Sequence, residues 1–174
     1  CTDQAAPRGP ARTAVGMKVW IFAVGRMKAG PEKELADRYL ERFARSAPAI
    51  GMDHAGVIEI AESRRGSMAE RQREEGAALA TQLGDKALIL LDETGKNMAS
   101  EAFAGKLGQL RDAGRREIMF AIGGPDGHDP QMKAKAEFSV SFGAATWPHQ
   151  IVRIMLAEQL YRAATILSGH PYHR

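Results

Sequence analysis

Apolar runs and helix-period segments alternate along most of the chain. The first run, Val19 to Val24, predicts a buried strand that stops at Gly25. Gly30-Pro31 then opens a helix, with the proline in the first turn, where its missing N–H leaves no bond unmade. Leu35, Tyr39, Leu40 and Phe43 fall on one face of that helix. Gly56 to Ile60 predicts a second, short strand, followed by the polar loop Ser63-Arg64-Arg65-Gly66 and a charged, alanine-rich helix from Ser67 to Leu83 with a thin apolar face. Lys86 to Asp92 is the clearest strand, because an unbroken apolar run means that both faces are covered, as in a parallel sheet. Ser100 is placed to cap a helix carrying Phe103, Leu107 and Leu110 that stops near Gly114. Glu117 to Ile122 predicts a fourth strand and Phe138 to Phe142 a fifth, with a short helix over 130–136 between them; the last helix runs from about Pro148 to Leu167.

Five strands with intervening helices predict a single doubly wound α/β domain with a mainly parallel five-stranded sheet. In such sheets ligands bind beyond the carboxyl ends of the strands, which directs attention to the loops after Leu91, Ile122 and Phe142.

The composition agrees with one globular domain: 174 residues, 44% hydrophobic and 26% charged, which excludes disorder, collagen and a coiled-coil rod. The first sixteen residues, CTDQAAPRGPARTAVG, are small and polar with no apolar period, and are expected to be a leader or an added remnant outside a domain spanning 17–174. They hold the only cysteine, so the domain offers neither a disulfide nor a thiolate metal site. No apolar run approaches the roughly 20 residues that cross a bilayer, and the expectation is a soluble cytoplasmic protein with no membrane partner. The formal charge of +3 is mild, and one unit of it lies in the leader. Location matters more than amount. His149, His170 and His173, with Arg153, Arg162 and Arg174, crowd the segment 149–174, opposed only by Glu158.

Each candidate motif has a plainer alternative. Gly123-Gly124-Pro125-Asp126-Gly127 leaves a strand with glycines that permit close approach to the backbone, but neither its spacing nor its place matches a dinucleotide fingerprint or a P-loop. Asp92-Glu93-Thr94-Gly95-Lys96 reads as a tight turn with solvated charges. Gly143 to Trp147 joins the last strand to the last helix through small residues, which leaves amides and carbonyls free to meet a flat polar ligand such as an adenine, or merely allows close packing. Glu158 and Arg162 are an i,i+4 pair. The terminal Gly169-His170-Pro171-Tyr172-His173-Arg174 mixes aromatic and basic groups in the manner that suits RNA, rings on bases and cations on phosphates. A metal site is disfavoured, since His170 and His173 have no evident third ligand.

These motifs, taken in order, resemble one family. Leu91-Asp92 with Gly95-Lys96, Ile122 to Gly127, Thr146-Trp147-Pro148-His149 with Arg153, Glu158 to Ala163, and His170 to Arg174 are similar to the bacterial large-subunit rRNA pseudouridine N3-methyltransferases, minimal members of the SPOUT superfamily, over essentially all of 17–174. The resemblance implies a C-terminal trefoil knot and S-adenosylmethionine held there by main-chain groups. It also implies a homodimer whose active site lies between the subunits. It places the cofactor against Leu91, Gly123, Phe142, Gly143, Ala144, Ala145, Thr146 and Trp147, and names as substrate a pseudouridine in a hairpin loop of 23S rRNA in the assembled ribosome. Methyl transfer to N3 needs no metal, because the sulfonium is activated by its own charge, but it needs an imide proton removed. His173 is then the expected base, with Arg162 and Arg174 holding phosphate or the developing anion, Tyr172 stacking or hydrogen-bonding, and Glu158 orienting Arg162. His149 is a weaker candidate, and the loop with Arg64 and Arg65 is a further contributor to RNA recognition. The rivals are a SPOUT enzyme acting on another RNA such as tRNA, and a non-enzymatic ribosome-binding factor on the same fold.

Overall fold

A computed structural model describes residues 16–173. The expected leader therefore lies outside the described residues except for Gly16, and so does Arg174. The strands are β1 (Met17–Val24), β2 (Met52–Ile60), β3 (Ala87–Asn97), β4 (Glu117–Ile122) and β5 (Phe138–Ser141). The helices are α1 (Pro31–Ser46), α2 (Met68–Leu83), α3 (Ser100–Asp112), α4 (Pro130–Lys135) and α5 (His149–Ser168), with 3-10 turns at Ala47–Ile50 and Pro171–His173.

The five strands form one sheet in the order β2-β1-β4-β3-β5, every neighbouring pair parallel. Alternate residues of the central strands serve two cores. Val19, Ile21, Ile89, Ile118 and Phe120 point to one face and meet Leu40 and Phe43 of α1, Phe103 and Leu107 of α3, and Leu156 and Leu160 of α5. Phe22, Leu88, Leu90, Met119 and Ala121 point to the other and meet Leu79 and Leu83 of α2 and Met132 of α4. Two covered faces explain why these strands are apolar without alternation. Among the described residues no helix is long and apolar enough to cross a membrane.

Several boundaries and contacts differ from the sequence reading. β2 begins four residues earlier than expected, because the β1 register shifts between Val19 and Trp20 and the pattern is interrupted across His54-Ala55-Gly56. Ser100 is not the cap of α3. Ala99 takes that place without a side-chain bond, and the Ser100 hydroxyl donates to Gln159 Oε1 at 2.7 Å. Leu35 is exposed and Ala36 is buried in its stead, so the buried face of α1 is Ala36, Leu40 and Phe43.

The segment Asp92 to Lys96 is not a tight turn but part of β3. Both Leu91 and Lys96 face Val140 of β5, so residues 92–95 bulge out between two stretches of the same pairing. Gly95 lies directly on the β5 backbone: a Cβ there would stand 2.8 Å from the Ser139 carbonyl carbon and from the Val140 nitrogen.

Candidate active site

The bulge of β3, the loop after β4 and the loop after β5 open together at the carboxyl edge of the sheet. Between them lies a cleft of about 650 Å³, within the range of small-molecule sites. Leu91, Gly123, Phe142, Gly143, Ala145, Thr146 and Trp147 all line it, whereas Ala144 does not. Gly123, Gly124, Gly127, Gly143 and Ala145 leave parts of the wall with little or no side chain. Gly143 has a φ of +109°, a conformation that side-chain-bearing residues rarely adopt, and the Ser141 hydroxyl braces the turn by donating to the Gly143 carbonyl at 2.9 Å. Trp147 is 46% exposed at the rim, unusual for so large an aromatic side chain.

Carboxylates outnumber ammonium groups on the wall. Asp92, Glu93 and Asp126 border the cleft, with Lys133 as the cation among them. Burial alone would raise the Asp92 carboxyl, but the Lys133 ammonium at 2.9 Å and two bonds from Thr94 bring it down to about 2. Asp126 is held below the usual carboxylate range by two bonds from Arg71, at 2.6 and 3.0 Å.

His128 is a residue that the sequence reading passed over. It is buried on the floor of the cleft, and its Nε2–H donates to the Leu91 carbonyl at 2.9 Å, which leaves Nδ1 unprotonated. Burial pushes its pKa down, so the ring is neutral. The sequence gives no sign of this, since His128 and Leu91 meet only through the β3–β4 pairing.

The tail residues assemble elsewhere. Glu158 is their hub: Oε1 accepts from Arg162 Nε at 2.9 Å and Nη2 at 2.5 Å and from the Tyr172 hydroxyl at 3.3 Å, while Oε2 accepts from Gln159 at 2.7 Å. The Tyr172 ring packs at a tilt against Tyr161, with centroids 4.6 Å and planes 55° apart, and the Arg162 guanidinium lies 5.0 Å from its centroid. Burial and the Glu158 charge push the Tyr172 phenol up to about 12, so it is a neutral donor at any working pH. Arg162 Nη1 donates to His173 Nδ1 at 3.3 Å, and His173 Nε2 donates to Glu101 of α3 at 2.7 Å. That bond holds Glu101 below its ordinary range. Glu101 was invisible from sequence, being 72 residues from its partner. The imidazole of His173 is thus held between the Arg162 guanidinium and the Glu101 carboxylate.

Two features separate the expected site residues. Arg153 does not share the working surface of the tail. It is 5% exposed, with Nη1 on Glu59 Oε2 at 2.5 Å and Nη2 on the Gly25 carbonyl at 3.0 Å. Within one chain, moreover, the tail and the cleft lie at opposite ends of α5: His149 lines the cleft, and the helix rises about 20 Å between it and Arg162.

The family described as "Predicted SPOUT methyltransferase" matches residues 17–173. A ribosomal RNA large subunit methyltransferase H from Mesorhizobium japonicum is 63% identical over 159 residues, covering 91% of this chain and 99% of its own length. The protein of the same name from Rhizobium meliloti is 58% identical with the same coverage. Among solved structures, the SpoU methyltransferase AviRb from Streptomyces viridochromogenes, crystallised with the cofactor AdoMet, is 13% identical with a TM-score of 0.38, over 88% of this chain and 62% of AviRb.

Proposed function

The chain belongs to the SPOUT methyltransferase family, and from that premise we propose that it moves the methyl group of S-adenosylmethionine to N3 of a pseudouridine in a 23S rRNA hairpin loop, acting as a homodimer on assembled ribosomes. The observation that carries this reading is the pairing of a glycine-rich, acid-bordered cleft with a separate cationic and aromatic cluster. S-adenosylmethionine supplies a methyl group already activated by its sulfonium charge. The cleft suits it chemically: Leu91, Ile122, Phe142 and Val152 offer apolar flanks to an adenine, the peptide groups of Ala145 and Thr146 can bond its edge, and Glu93, beside the already paired Asp92 and Asp126, favours a cation. In this reading the chain is threaded into a trefoil knot around the bulge at 92–95.

One chain alone cannot present both halves of the site to one nucleotide, so a second copy completes it. The outer stripe of α5 supports this. Ile151, Ile154 and Met155 share a helical face with Glu158 and Arg162, are only half-buried, and stand outside both cores. A partner covering that apolar stripe would carry its own tail toward this chain's cleft.

Each tail residue then has a role. The lone pair on His173 Nδ1 takes the N3 proton once the substrate displaces Arg162 from it. Arg162, steered by Glu158, stabilises the charge that spreads over the flanking carbonyls, and Arg174 adds a second cation. Tyr172 donates a hydrogen bond or stacks on a base. Neutral His128 holds the Leu91 carbonyl in place without adding charge.

The test is His173→Ala assayed on ribosomes with labelled S-adenosylmethionine. Turnover should fall by a factor of about 10² to 10⁴ while cofactor affinity stays unchanged. Near-normal turnover would remove His173 as the base, and loss of cofactor binding would place the tail in the cofactor pocket instead.

A further inference from the structure

The loop between β1 and α1 carries two cations that no part of the proposed mechanism uses. Arg26 and Lys28 are exposed, and between them Met27 is buried. The backbone here is fastened at three points. The Gly25 amide donates to the Ile60 carbonyl at 2.8 Å, the Gly25 carbonyl accepts from Arg153 Nη2 at 3.0 Å, and the Met27 amide donates to Glu59 Oε2 at 2.8 Å. Glu59 in turn receives Arg153 Nη1 at 2.5 Å. Burial would raise the Glu59 carboxyl, but the Met27 amide and Arg153 outweigh it and keep it ionised. A buried arginine and a charged glutamate are thus spent on fixing a short loop, so Arg26 and Lys28 are projected outward from a rigid base.

The loop is also well placed. Gly25 packs against His149, whose Nε2 is 2.9 Å from where a Gly25 Cβ would stand, and His149 lines the cleft. Val24 and Ile60 are paired at the ends of neighbouring parallel strands, so the loop after β2, with Arg64, emerges alongside. Among the described residues Arg26, Lys28 and Arg64 make no ion pair, whereas Arg65 lies 3.5 Å from Glu74. Three exposed cations thus stand on two adjacent loops beside His149 of the cleft wall, with the Glu62 carboxylate 4.0 Å from His149 as an acid in the same region, and cations so exposed suit the phosphates of a nucleic-acid strand.

We infer that Arg26 and Lys28, held by the Arg153–Glu59 clamp and flanked by Arg64, form a phosphate-docking surface that seats the substrate RNA beside the cleft. The inference rests on the substrate being RNA, as proposed above. Arg153 and Glu59 are positioning residues, and the contacts to phosphate are electrostatic and independent of base sequence.

The double variant Arg26→Ala/Lys28→Ala tests it, measured for ribosome binding across a salt series together with methyl transfer and cofactor affinity. Both side chains are exposed, so the fold should be unaffected. The slope of log affinity against log salt should flatten by roughly 1.5 to 2, about one unit per lost phosphate contact. KM for ribosomes should rise, with kcat and S-adenosylmethionine affinity unchanged. The exchanged variant Arg26→Lys/Lys28→Arg, which keeps the charge, should restore the slope. An unchanged slope in the double variant overturns the inference, as does a loss that the exchanged variant fails to rescue. Wild-type protein that binds ribosomes with the expected slope but transfers no methyl would sink the proposed reaction and leave the docking surface standing.

Discussion

Asp92 is the acid most firmly held at the cleft, and its environment sets a pH dependence. Its carboxyl is brought from an ordinary value down to about 2 by Lys133 and Thr94, so the folded chain binds its proton more weakly than the unfolded chain does. The stabilisation is complete above about pH 5 and is lost progressively as pH falls through about 2, with a magnitude on the order of 2 kcal/mol. Urea titrations from pH 7 to pH 2 should show that loss, and Asp92→Asn should flatten the acid limb while lowering stability at neutral pH. Glu75 has the opposite sign. Buried with one oxygen unpartnered, it is pushed up mainly by burial, so its contribution declines as pH rises through its folded value. Single residues were read from the sequence with uneven success. Periodicity tells which face a residue occupies but not which distant side chain meets it. The pairs His173–Glu101, Arg153–Glu59 and Arg71–Asp126 were therefore out of reach, although every loop that borders the cleft was identified.

At the scale of elements, the central strands were legible because burial on both faces leaves an unbroken apolar run, and the helices because one face repeats. What escaped was irregularity. The bulge at 92–95 looks like a charged turn in sequence, since its polar residues leave the sheet while its flanks stay paired with β5. Gly95 carries that crossing. Replacing it with alanine would force a methyl group into the Ser139–Val140 backbone, which cannot yield as a flexible side chain can. Gly95→Ala should lower stability by about 1 to 3 kcal/mol in denaturant titrations and take cofactor affinity with it. A fall in stability below about 1 kcal/mol would mean that β5 tolerates displacement at this crossing.

For the whole molecule, the issue is how a cleft and a tail some 20 Å apart on α5 come to act on one base. Pairing of two copies over the Ile151, Ile154 and Met155 stripe answers it and predicts that Met155→Glu, outside both cores, yields a folded monomer in sedimentation. That monomer should still bind S-adenosylmethionine but not transfer its methyl group, and a monomer with full activity would show that one chain suffices. The central claim is the reaction itself. It is tested most directly by incubating the protein with labelled S-adenosylmethionine and ribosomes that lack the modification, then locating the label by mass spectrometry of nuclease fragments. The account predicts one labelled nucleotide, a pseudouridine of 23S rRNA methylated at N3; label on another RNA, on another base position, or on none would contradict it.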